Sequence, residues 1–236
     1  MARLLSVLGS ALGALAAGCG NAPPGIPENS IETLDQRIKR QEAEFNATPD
    51  IKGEELSRRL HAFGIQDAWM TPVLEDHGVE VLQLRVPAAD FARLDKRGLA
   101  KLVLDSRYRF EFVDPDQVHQ FALYQGAETH ARDKATALKE LADRGQIDSF
   151  PRHSSGMPME TYAARLEGWC GYKKGEALAV IDGAWLDYQH RMVDMAAEDR
   201  DGRASASFDC VKRVVDATDL RRHFIGNRGR EGAIDY

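Results

Sequence analysis

The sequence predicts a mainly helical α+β fold with a small three-stranded sheet, and three observations carry that reading. Val79-Glu80-Val81-Leu82-Gln83-Leu84-Arg85-Val86 alternates apolar and polar side chains, the period of a half-buried strand. Lys101 to Leu104 and Tyr108-Arg109-Phe110-Glu111-Phe112-Val113 add two more strand-like runs. From Asp114 onward the apolar spacing is helical. Residues 29–113 therefore read as an α/β segment and residues 114–236 as a helical one, packed together as one domain.

The elements follow in order. Asn29 or Ser30 caps a first helix with Ile31, Leu34, Ile38 and Phe45 on one stripe, and Pro49 prevents its continuation. A second helix near Gly53 to Phe63 brings Leu56, Leu60 and Phe63 together and ends at Gly64. After the first strand, Pro87 opens a short helical stretch with Phe91 and Leu94, ending around Gly98. Asp114-Pro115 is an N-cap followed by proline at the first helical position, leading to Val118 and Phe121. A helix from Glu128 to Gly145 turns Ala131, Ala135, Leu138 and Leu141 inward and the pairs Glu128/Arg132 and Glu140/Arg144 outward. Ser149 to Pro158 is a loop by its proline, serine and glycine content. Three helices follow: Met159 to Trp169, a long one near Gly175 to Glu198 with Gly183 as a possible break, and one near Ser207 to Phe224.

The N-terminus carries different information. One cation, Arg3, precedes the apolar run Leu4 to Leu15, which is too short to span a bilayer, since about 20 residues are needed. The run ends in Leu15-Ala16-Ala17-Gly18-Cys19. This segment resembles the precursor of a bacterial lipoprotein, with residues 1–18 as signal peptide and Cys19 as the acylated mature N-terminus. The family usually has Leu three residues before the cysteine, and Ala16 stands there. An ordinary signal peptide cut nearby would instead leave Cys19 as a thiol. The resemblance implies a membrane partner through the lipid. It also implies the outer membrane, facing the periplasm, because Gly20 and not Asp follows the cysteine. Residues 19–28, crowded with Pro and Gly, read as a flexible lipidated tether.

Export leaves Cys170 and Cys210 as an even pair in a compartment where disulfides persist, so a bond between them is expected. An uninterrupted antiparallel pairing of the last two helices would hold these cysteines far apart, and the two expectations compete. The net charge of −6 disfavours nucleic-acid binding, which rests on neutralising phosphates.

The chemistry-bearing residues form no strong motif. The seven histidines show no spacing that pairs two imidazoles on one helical face, so neither a metal nor a cofactor is expected. His153-Ser154-Ser155-Gly156 reads as a polar turn, without the elbow of a serine hydrolase. Glu160 and Glu167, seven apart, share a face of one helix as a glycosidase pair could, but such pairs are common on solvated faces and no motif selects them from the other acids; Trp169, Trp185 and Tyr188 could build a sugar-binding wall, but at helical spacing read rather as core. Arg221, Arg222, Arg228 and Arg230 make a basic C-terminal patch suited to an anionic wall polymer, lipid headgroups or an acidic envelope protein. The function that follows is a binding, scaffold or assembly protein of the envelope, with an envelope hydrolase acting on peptidoglycan or a small ester or glycoside as the alternative.

Overall fold

The computed structural model describes residues 23–27, 31–51, 53–74, 80–106 and 109–220. The architecture is α+β and mainly helical, with eight helices, a three-stranded sheet and a separate two-stranded one among the described residues. Apolar side chains gather in two clusters, and one long helix carries residues of both.

The first cluster is built by α2 (Gly53–Ala62), β1 (Met70–Leu74), β2 (Glu80–Leu84), α3 (Ala88–Phe91), α4 (Lys96–Asp105), β3 (Arg109–Phe112) and the start of α5 (Pro115–Asp143). The strand order is β1-β2-β3, with β1 antiparallel to β2 (Met70 opposite Leu84) and β3 parallel to it (Leu84 opposite Phe112). Leu60, Leu84 and Leu99 are fully buried here, and Phe112 packs edge-on against Phe91 and Phe121, each ring 5.1 Å away. The Gln117 side-chain amide donates to the Val86 carbonyl at 2.8 Å and ties α5 to the chain leaving the sheet.

Two expectations change in this region. Lys101 to Leu104 is not a strand but the second half of α4, which starts where the Asp95 carboxylate accepts the Gly98 N–H at 2.9 Å and buries Leu99 and Leu102 one turn apart. Gly98 thus lies inside a helix rather than ending one, and a β-carbon there would strike the Phe63 ring. The third strand is instead β1, whose Pro72 cannot donate to a ladder and so is tolerated at a sheet edge.

α5 replaces the two helices expected from Asp114 to Gly145. Its 29 residues span about 43 Å at ~1.5 Å per residue, burying Gln117 and Phe121 in the first cluster and Ala137 and Leu141 in the second. Gly126 in its middle costs ~1 kcal/mol relative to Ala, which packing at both ends exceeds. Ala131 and Ala135, expected inward, are exposed because the buried stripe changes partner midway.

The second cluster joins the C-terminal half of α5 to α6 (Met159–Trp169), the hairpin β4 (Leu178–Ile181) and β5 (Trp185–Tyr188), α7 (His190–Glu198) and α8 (Arg203–Asp216). The expected long helix from Gly175 to Glu198 is therefore a hairpin followed by a short helix. Asp182 and Gly183, at φ 51° and 67°, turn the chain so that the Ala184 N–H meets the Ile181 carbonyl at 3.1 Å. A hairpin turn of this kind needs positive φ at both central residues, and Asp-Gly supplies it. α8 starts earlier than expected, after Gly202 at φ 81°, where a β-carbon would strike the Glu32 carbonyl. With the long helix gone, Cys170 at the end of α6 meets Cys210 in α8, and the two form a disulfide with Cα atoms 5.6 Å apart and no exposed surface. The disulfide, not the uninterrupted helical pairing, is what the chain adopts.

Residues 23–27, expected within the flexible tether, are docked. The Gly25 N–H donates to the Trp169 carbonyl at 2.9 Å, the Gln146 side chain donates to the Pro24 carbonyl at 2.7 Å, and Ile26 is buried in the second cluster. The segment lies over the disulfide so closely that a β-carbon on Gly25 would fall 2.5 Å from Cys210 Sγ. α1 (Leu34–Ala47) is capped by Thr33, whose hydroxyl accepts the Gln36 N–H while Gln36 reaches back to the Thr33 N–H; Asn29 and Ser30 lie outside the described residues. Of the expected stripe Ile31, just before the helix, packs against the second cluster, but Ile38 and Phe45 are 43% and 60% exposed. Polar contacts hold the helix to the second cluster, with Arg37 donating to Ser205 Oγ and to the Ala196 carbonyl. The first helix thus belongs with the C-terminal elements and not with the α/β segment.

Candidate functional site

Between the docked segment, α1, α5 and α8 lies a cleft of about 580 Å³ lined mainly by charged residues. Helical spacing builds its walls. Asp133, Ala137, Glu140 and Arg144 follow one another at three- and four-residue steps along the end of α5, and on α8 the adjacent Lys212 and Arg213 lie three and four residues from both Asp209 and Asp216. The opposite faces of the same helices bury Leu141, Val211 and Val214, so the apolar core fixes which charges meet across the cleft. Glu32 and, from α1, Arg40 and Glu44 close the third side.

Most of these charges are matched. Arg40 bridges Glu32 at 3.0 Å and Glu44 at 3.1 Å, and the hydrogen bond to Glu32 raises its pKa despite partial burial. Arg213, 9% exposed, holds Glu140 at 2.7 Å, and Lys212 holds Asp216 at 2.6 Å. The i,i+4 pairs expected along α5 give way to these tertiary ones: Glu128 meets Arg97 of α4 at 2.6 Å, Arg132 meets Asp105 at 3.1 Å, and Glu140 turns to Arg213. Arg144 is thereby left without its helical partner.

Two lining groups have no bonded counter-charge among the described residues, the Arg144 guanidinium and the Asp209 carboxylate. Burial lowers the Arg144 pKa, with the Arg213 charge adding to that shift, while Glu140, Asp209 and Glu32 oppose it. Burial likewise raises the Asp209 carboxyl above its ordinary range, against the attraction of Arg213, Arg37, Arg40 and Lys212.

The residues singled out in the sequence are not brought together. Glu160 is exposed, whereas Glu167 is 1% exposed and gives both oxygens to backbone N–H groups of Gly175, Ala177 and Leu178. His153 Nε2 pairs with the Met157 carbonyl at 2.8 Å, and its ring lies edge-on to Tyr162. Tyr188 is core, and Trp169 and Trp185 are half-buried, with Trp169 packed on the second cluster. Among the described residues no three His, Cys, Asp or Glu side chains converge as a metal site requires. Cys19 and the basic residues Arg221, Arg222, Arg228 and Arg230 lie outside the described residues.

The fold and the site define a disulfide-braced α+β protein with two apolar cores and a charged cleft beside the second. No family model, curated protein or solved structure matches the chain. What the cleft does rests on its chemistry alone.

Proposed function

We propose that the chain is an exported protein held at the cell envelope by a lipid on Cys19, and that its folded part binds a ligand or partner rather than catalysing a reaction. The buried Cys170–Cys210 disulfide is the observation that carries the first half, because such bonds persist in exported proteins and are rare in reducing compartments. Its formation leaves Cys19 as the odd cysteine, in the run Leu15-Ala16-Ala17-Gly18-Cys19 that resembles a lipoprotein processing site. No helix among the described residues is long and apolar enough to cross a membrane, so acyl chains on Cys19 would supply the anchor. Gly20 after the cysteine favours the outer membrane, with the domain facing the periplasm.

Binding is supported by the charged cleft, and the basic residues Arg221, Arg222, Arg228 and Arg230 offer a contact for an anionic wall polymer or an acidic envelope protein. The alternative, an envelope hydrolase, gains nothing from Glu167 or His153, since both are committed to backbone groups. Membrane fractionation tests the anchor: Cys19→Ser should move the protein to the soluble fraction, and a variant that still sediments after a salt wash would remove the lipid from the account. Exchanging the four arginines for glutamine should weaken envelope association at low salt, and unchanged association would remove them as a contact.

A further inference from the structure

We propose that the cleft binds a small zwitterion, a molecule bearing one carboxylate and one ammonium group, with Arg144 taking the carboxylate and Asp209 the ammonium. This ligand class rests on the reading of the folded part as a binding module, but not on the lipid anchor.

Charge matching across the cleft selects this ligand class. Once Arg40 is given to Glu32 and Glu44, Arg213 to Glu140 and Lys212 to Asp216, one cation and one anion of the cleft, Arg144 and Asp209, have no bonded partner among the described residues. Asp133 carries an interaction of its own. Four cations lie near Asp209, yet each is engaged elsewhere: Arg37 with Ser205 and the Ala196 carbonyl, and Arg40, Lys212 and Arg213 with their acids. Around Arg144 the facing groups are Arg213, Glu140, Asp209 and Glu32, and none bonds it.

Both groups lose hydration on burial, and the surrounding opposite charges offset that loss through space but not through a bond. A desolvated charge in a cleft with no bonded partner is a candidate for contact with a ligand. The signs then select the ligand. The lining carries six carboxylates against four cations, so a simple anion at Arg144 meets a net repulsive wall. A simple cation at Asp209 leaves Arg144 unanswered. A zwitterion satisfies both at once, and the cleft volume of about 580 Å³ accommodates a free amino acid or a short peptide.

Calorimetric titration of the full chain with glycine, and with alanine and alanylalanine in both chiral forms, tests this against acetate and methylammonium as half-ligands. At least one zwitterion should bind. The free acids and the dipeptides separate a single amino acid from a peptide terminus as the source. Arg144→Gln and Asp209→Asn should each weaken binding by about tenfold or more, the usual range for a lost charge-assisted hydrogen bond, without lowering the melting temperature. No binding of any zwitterion at ~10 mM, equal affinity in both variants, or acetate or methylammonium binding as tightly as the zwitterions would each overturn the proposal. Failure here leaves the Cys19 anchor standing, and release experiments on Cys19→Ser leave the cleft untouched, so the two readings fall separately.

Discussion

The carboxylate of Glu167, with 1% of the residue exposed, accepts the backbone N–H of Ala177 at 2.8 Å. The same group takes the N–H of Leu178 at 2.9 Å and of Gly175 at 2.7 Å, so one side chain of α6 satisfies three donors of the segment entering β4. The donors of Ala177 and Leu178 are buried away from water, and the acid stands in for it. Glu167→Ala should therefore lower unfolding stability by roughly 3–5 kcal/mol in urea titration, because at least two of the orphaned donors sit in buried surroundings. Glu167→Gln keeps one acceptor oxygen and should lose about half as much. A loss under ~1 kcal/mol for the alanine variant would mean that the contacts are incidental.

Tyr162 is fully buried in the second cluster, and its hydroxyl has no hydrogen-bond partner among the described residues. Burial raises its pKa, with the nearby Tyr188 adding to the effect, and burial pushes the Tyr172 phenol up to about 12. A phenol whose folded pKa exceeds its unfolded value of ~10 stabilises fully below that value, and the contribution is lost as pH rises toward the folded pKa. Stability should thus fall steeply above about pH 10. Tyr162→Phe should be neutral or stabilising by about 1 kcal/mol at pH 7, and should blunt the alkaline loss, as read by denaturation at pH 7 and above 10.

Asp209 gives the same sign of pH dependence, shifted into the acid range. Its carboxyl is raised by burial, so the ionised form carries a penalty at neutral pH that is relieved as pH falls through the folded pKa. Asp209→Asn should accordingly be more stable than the parent near pH 7, and the advantage should vanish below the ordinary carboxyl value of 3.8. Equal stability of the two proteins across that window would show that the carboxylate is compensated in solution.

The docked segment and the disulfide should fail together. Gly25→Ala places a methyl group against Cys210 Sγ and the Trp169 ring, and should expose the bonds around Pro23 to Pro27 to limited proteolysis while leaving the rest of the fold protected. Cys170→Ser opens a loop of 40 residues, worth ~4 kcal/mol in the chain-entropy model, and should lower the melting temperature and release the same segment. Non-reducing peptide mapping should recover Cys170 and Cys210 joined; two alkylated thiols in native protein would contradict the bond.

How far the sequence reached depended on how local each signal was. Asp114-Pro115 fixes the start of α5, and Met159 to Trp169 emerges as α6 residue for residue, because caps and apolar spacing act within a few positions of themselves. β1 escaped because Pro72 argues against a strand until the strand is known to be an edge. The hairpin was legible in Asp182-Gly183, but the apolar residues around it fit a helical period as well, and Gly183 was read as a break rather than a turn.

The sequence by itself determined the helical character of the chain, the caps, the acidic balance and the even pair Cys170 and Cys210, all properties that reside in single residues or short spacings. Only the tertiary structure decided the rest. Glu167 changed from a candidate catalytic acid to a buried clamp, residues 23–27 from tether to a segment docked over the disulfide, and Glu140 from the partner of Arg144 to the partner of Arg213. In each case local spacing does not decide between the alternatives, and the choice fell to the arrangement that let distant segments fill one core and satisfy one another's polar groups. The mismatch of Arg144 and Asp209 is the residue of that choice, visible only when α5 and α8 are laid side by side.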